Sequence, residues 1–161
     1  MDIHEKFVFT QPIDSLFKAF GNKAGVEKKY TTLGRRNINI ESCKLTKDTL
    51  NLKVTQETPL DAPAALKKFL GDWTESTQEE NWTGTPGKEY KGDLNIKLKG
   101  VPCTLVGGYL LYPEGKGSIF EVKLSVSCGI PLIGKKLAEF VGTAAQKQMN
   151  AEYEYNRDNI K

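Results

Sequence analysis

The stretch PLIGKKLAEFVGTAAQKQMNAEYEYNRDNI, running from Pro131 to Ile160, decides the fold. Wound at ~100° per residue, Ile133, Leu137, Phe140, Val141, Ala144, Gln148, Ala151 and Tyr155 fall within one stripe about 80° wide. Lys135, Glu139, Gln146, Asn150, Glu154 and Arg157 occupy the opposite side. The pattern predicts a helix over the whole stretch, and at ~1.5 Å per residue it spans about 45 Å. An amphipathic helix of that length needs a large curved surface on which to bury its stripe, and a strongly bent sheet is such a surface.

Upstream residues supply the sheet. Ile3 to Thr10 read as a first strand, with Ile3, Phe7 and Phe9 on one parity. Pro12 ends it, and Ile13, Leu16, Phe17 and Phe20 then recur at helical spacing up to Gly21. A second short helix is expected around Ala24 to Leu33. From Arg36 the period falls to two: Ile38 and Ile40 on one strand, Leu50, Leu52 and Val54 on the next, joined by a turn at Thr46-Lys47-Asp48. Ala62 to Leu70 makes only a short amphipathic helix or ordered loop, a natural lid. Strands resume over Trp73 to Thr83, Tyr90 to Leu98, Cys103 to Tyr112 and Ser118 to Ile130, separated by Gly- and Pro-rich turns. Neighbours linked this way form an antiparallel sheet with one buried face. Gly107-Gly108 in mid-strand marks a sharp bend.

The chain has 161 residues, enough for one domain with a real core. Its 23 basic and 20 acidic side chains are interspersed, which predicts a mixed solvated surface and disfavours a nucleic-acid partner. The charged start at Met1 to Lys6 shows no secretory signal, and no apolar run approaches the ~20 residues needed to cross a bilayer. Cys43, Cys103 and Cys128 are widely separated and never in a C-x-x-C pair, so they read as reduced thiols packed as small hydrophobes. These features together predict a cytoplasmic protein. Transient contact with a membrane surface stays open, and the oligomeric state is not legible.

Three motifs invite a chemical reading and resist it. Gly129 to Lys136 approaches the P-loop pattern, but Lys136 stands where a magnesium-binding hydroxyl is needed and Ile-Pro-Leu-Ile fills the would-be phosphate cradle. His4 is the only histidine and has the parity opposite to Phe7, so a metal site or a histidine-activated nucleophile is not expected. Glu75, Gln78, Glu79 and Glu80 could supply paired carboxylates, but strand alternation favours a solvated face. No cofactor, metal site or catalytic residue is called for.

The order strand, two short helices, six strands, long helix resembles the START-like (SRPBCC, helix-grip) superfamily over essentially the whole chain. Within it, Ala65-Leu66-Lys67-Lys68-Phe69-Leu70-Gly71, the junction Ile130-Pro131-Leu132-Ile133-Gly134-Lys135-Lys136-Leu137 and the ending Ala151-Glu152-Tyr153-Glu154-Tyr155 resemble a bacterial family known as domain of unknown function twenty-five-oh-five. The resemblance implies an α+β fold, about seven antiparallel strands around the C-terminal helix, with a cavity between them. It implies no reaction.

Inward parities assign to that cavity Phe9, Ile40, Leu52, Ile96, Leu98, Leu105, Tyr109 and Leu124, with Leu137, Phe140, Val141 and Ala144 from the helix. An apolar wall with few polar anchors suits an apolar small molecule, lipid-, sterol-, polyketide- or quinone-like. Gln148, with Tyr109 and Tyr155, is placed to fix a carbonyl or hydroxyl. Trp73 and Trp82 have opposite parities, and Trp73, beside the lid, is the one expected to face inward. Binding without catalysis is the favoured reading. The alternatives are a cyclase-, aromatase- or hydrolase-like enzyme in the same cavity, or an interaction module with a filled core.

Overall fold

Apolar alternation does produce strands wherever it was legible. The computed structural model describes residues Met1–Lys161. In chain order the elements are β1 (Asp2–Phe9), α1 (Ile13–Phe20), α2 (Lys23–Thr32), β2 (Arg36–Leu45), β3 (Thr49–Pro59), α3 (Ala64–Leu70), β4 (Trp73–Thr85), β5 (Glu89–Leu98), β6 (Cys103–Glu114), β7 (Gly117–Cys128) and α4 (Gly134–Asn159). The strands form one seven-stranded sheet in the order β1-β7-β6-β5-β4-β3-β2, every pairing antiparallel. This is the helix-grip arrangement. The long helix α4 packs against β7 and β1.

Local chemistry sets the element ends. Asn22 caps α2, its side-chain oxygen accepting from the Gly25 N–H at 2.8 Å, so one otherwise unpaired helix-start donor is satisfied. Gly71, at φ 67°, stops α3. The helix α4 begins at Gly134, three residues beyond Pro131. Residues 131–133 form a turn instead, in which Leu132 sits at φ 68° with its side chain fully exposed. A left-handed residue cannot continue a right-handed helix, which is why the helical stripe outruns the helix.

The ladder between β6 and β7 runs unbroken through Gly107 and Gly108, which pair with Leu124 and Lys123. A β-carbon at Gly107 would collide with the Lys123 carbonyl, so close backbone approach is what requires glycine there. Along the same ladder Cys103 stands directly opposite Cys128, and the two form a disulfide with Cα atoms 4.0 Å apart. This corrects the expectation of reduced thiols at these positions and removes the cysteine argument for a reducing compartment. A separation of 25 residues concealed the pairing because only strand register brings the two together. Cys43 alone is free.

Two hydrophobic cores share the interior. One gathers α1 and α2 against β1, β3 and the aromatic rings of Trp82 and Tyr90. The other gathers α3 and the first half of α4 against β5, β6 and β7. Tyr109 and Met149 touch both. No helix is long and apolar enough to cross a membrane.

Candidate functional site: a two-faced cavity

Between the two cores lies a partly open cavity of about 130 Å³, bounded by the sheet, α2 and α4. Its walls follow from strand parity. On β4 the inward positions are Thr74, Ser76, Gln78, Glu80 and Trp82, and across the ladder β3 contributes Leu52, Gln56 and Thr58, with Gln56 opposite Ser76 and Leu52 opposite Glu80. On β5, β6 and β7 the inward positions are Leu94, Ile96, Leu98, Leu105, Tyr109, Phe120, Val122 and Leu124. The helix α4 closes the space with Val141, Ala144, Ala145, Gln148, Met149, Glu152, Tyr153 and Asn156. One wall is therefore polar and the other apolar.

Gly92 lies on β5 between Trp82 on β4 and Tyr109 on β6. A β-carbon there would strike the Trp82 ring. Its absence lets the two rings lean over the middle strand and stack at 4.9 Å between centroids, with Phe120 5.2 Å from Tyr109.

Two basic and two acidic side chains border the cavity. The Arg35 guanidinium donates to Glu152 Oε1 at 2.6 Å and lies over the Tyr30 ring, while Lys29 Nζ stands 3.6 Å from Glu152 Oε2. Burial acts to raise the pKa of Glu152, but Arg35 and Lys29 together outweigh it and hold this carboxylate below its usual range. Glu80 ends on the other side. Gln78 Nε2 donates to its Oε2 at 2.8 Å and Trp82 Nε1 to its Oε1 at 3.2 Å, yet burial prevails and pushes its pKa above the ordinary carboxylate value. Burial, reinforced by the nearby carboxylates of Glu80 and Glu152, also raises Tyr109 well above a normal phenol. Gln56 is 2% exposed, and its Oε1 is the one buried side-chain polar atom without a hydrogen-bond partner.

Of the residues assigned to the cavity from sequence, the structure brings Leu52, Ile96, Leu98, Leu105, Tyr109, Leu124, Val141, Ala144 and Gln148 into its lining. Phe9, Ile40, Leu137 and Phe140 lie elsewhere. Phe9 packs edge-on to Tyr153 in the first core, where α4 covers the β1 side of the sheet. Ile40 sits on edge strand β2 beside a register irregularity and packs on the same core. Leu137 is buried in the second core near the start of α4, and Phe140 packs half-buried against that core. Tyr155 is also outside the lining.

Trp82, not Trp73, faces inward. Trp73 is half-buried with the Arg36 guanidinium 3.7 Å from its ring centroid, whereas Trp82 is buried on the cavity wall. Glu75, Gln78, Glu79 and Glu80 were expected on a solvated face; the structure turns Gln78 and Glu80 inward with Trp82 and leaves Glu75 and Glu79 on the outer face. Parity counted from Trp82 would have found the inward pair. On α4 the spacing Gln148, Glu152, Asn156 was a further signal, since each residue stands one turn from the last. Nothing local marks Lys29 or Arg35 as inward.

Solved structures share the fold. TTHA0849 from Thermus thermophilus is 11% identical with a TM-score of 0.70, covering 98% of this chain and 95% of that one. Ara h 8.0201 is 14% identical with a TM-score of 0.60 and 99% coverage of both chains. The di-domain ARO/CYC BexL from the BE-7585A biosynthetic pathway is 13% identical with a TM-score of 0.64, and the match covers all of this chain and 50% of BexL. Identities this low speak for the START-like fold alone. The model of a family described as "Protein of unknown function (DUF2505)" matches residues 5–160. No curated protein matches the sequence.

Proposed function

Because the chain belongs to the DUF2505 family and carries a START-like fold, we propose that it binds a small, largely apolar molecule between the sheet and α4, without transforming it. The observation that carries this reading is the cavity between two otherwise dense cores. Protein interiors pack to crystal-like density, so a space of about 130 Å³ is an exception that needs a reason. Engineered apolar cavities of ~150 Å³ stay dry and take up benzene-sized guests. Here Leu94, Leu105, Leu124 and Val141, all buried, and half-buried Ile96 supply the apolar contact, and a space beside them leaves their carbon atoms short of neighbours on one side.

Native mass spectrometry of protein purified from cells tests the reading. The expected result is a population heavier than the polypeptide by one small molecule, released on activation. A protein that is empty and also fails to bind apolar fluorophores contradicts it.

A second reading, acid-base catalysis in the same cavity, draws on Glu80. A carboxyl group held above its usual range beside an apolar wall is equipped to deliver or accept a proton. Under this reading Glu80→Gln abolishes turnover of the bound molecule while leaving its binding intact; if the purified ligand is unchanged after prolonged incubation, the binding reading stands alone.

A further inference from the structure

Lys29, Arg35, Glu80 and Glu152 are the only charged residues in the cavity lining, and three of them are satisfied within the protein. Arg35 and Glu152 close on each other at 2.6 Å in a charge-assisted hydrogen bond. Glu80 takes both of its hydrogen bonds from neutral groups, Gln78 and Trp82, and burial favours its uncharged form. Lys29 is different. Its side chain is only 11% exposed, and Glu152 Oε2, its ion-pair partner, stands 3.6 Å away, too far for a hydrogen bond. None of the three N–H donors of the ammonium is used by the protein. The group is nevertheless within reach of a visitor: Gln56 Oε1 is the one side-chain nitrogen or oxygen that is both shut off from water and unpaired, so the unpaired Lys29 Nζ is open to water-sized atoms, and the residue lies on the cavity wall. A mostly buried ammonium that shares its one counter-ion with Arg35 and makes no hydrogen bond is costly, and a negative group brought in by a guest relieves that cost.

We infer that the cavity takes an apolar carboxylic acid as its anion, the carboxylate accepting from the Lys29 ammonium and the hydrocarbon lying against Ile96, Leu105, Leu124 and Val141. This assignment rests on the binding reading above and adds the charge of the guest and the group that holds it. A cationic guest finds no such place, because Glu152 is already held by Arg35 and both oxygens of Glu80 accept from the protein.

Three probes of matched chain length separate the possibilities in calorimetric titrations of the full chain near neutral pH: hexanoate, hexanol and hexylammonium. They differ in charge and little else. Apolar transfer alone favours hexanol over hexanoate, since the alcohol has one more apolar carbon. The expected order is instead hexanoate about 10-fold tighter than hexanol, as a hydrogen bond to a charged donor gives, with hexylammonium weakest. Lys29→Met keeps the apolar stem and should weaken hexanoate about 10-fold while leaving hexanol within about 2-fold of its native affinity. Lys29→Gln, polar but uncharged, should show the same loss, and circular dichroism verifies that each variant folds. Equal or tighter binding of hexanol or hexylammonium by the native protein overturns the inference and leaves the binding reading intact. A preference for hexanoate that survives both substitutions overturns the role of Lys29. Failure of all three probes to bind counts against the binding reading itself and takes this inference with it.

Discussion

Along β4 the inward positions read Thr74, Ser76, Gln78, Glu80 and Trp82, whereas three strands away β7 presents Phe120, Val122 and Leu124 to the same space. Both strands alternate with the same period, and both bury one face. The apolar strands stabilise the fold by removing hydrocarbon from water, at roughly 25 cal/mol per Å². The inward polar groups of β3 and β4 contribute little net stability, because each hydrogen bond formed replaces one to water. Periodicity thus establishes which residues point inward, and the kind of residue found there separates a wall that holds the protein together from a wall suited to recognition.

The contrast can be broken from either side. The largest effect is expected at the buried ion pair: Arg35→Met leaves Glu152 with only Lys29 at 3.6 Å and should destabilise the protein by about 3–5 kcal/mol in urea unfolding. The double variant Arg35→Met/Glu152→Leu should recover much of that loss. On the apolar wall, Leu105→Ala should cost about 2–4 kcal/mol in the same assay, since it enlarges an existing space. Gly92→Ala drives a methyl group into the Trp82 ring and should cost about 1–3 kcal/mol, with a change in tryptophan fluorescence as the stack with Tyr109 opens. Substitutions on the polar wall should behave in the opposite sense. Gln56→Leu is expected to stabilise the ligand-free protein by about 1 kcal/mol, because an unpaired buried oxygen is removed.

Glu80 adds a dependence on pH. Its folded-state pKa lies above the unfolded value, so its protonated form contributes stability that is full below the unfolded carboxylate pKa and is lost as pH rises through the folded one. Glu152 runs the other way: its contribution is present above the unfolded pKa and is lost as pH falls through its lowered folded value. Glu80→Gln should therefore gain on the native protein as pH rises above the ordinary carboxylate range of about pH 4. Parallel stability curves above that range would show that Glu80 is not held in its neutral form by burial.

Much of this was legible in the sequence. The stripe from Ile133 to Ala151, the hairpin parities around Leu50 and Leu94, and the junction at Ile130 to Leu137 are local patterns, and the sheet with its long helix follows from them. The apolar half of the site was legible for the same reason, since Ile96, Leu105, Leu124 and Val141 each share a parity or a helix face with their neighbours. The polar half was not. It hung on whether Trp73 or Trp82 turned inward, and either choice is consistent with alternation. The Arg35–Glu152 pair, 117 residues apart, and the Cys103–Cys128 bridge depend on tertiary placement and strand register, which no local pattern encodes.

The central claim is that the space between the polar and apolar walls is built to be occupied. A crystal structure of protein purified without added ligand tests it most directly. The account predicts continuous non-protein density in contact with Lys29 at one end and with Leu105 and Leu124 at the other. Side chains closed over that space, with Leu105 and Val141 packed directly onto β3 and β4 and Lys29 hydrogen-bonded within the protein, would contradict it.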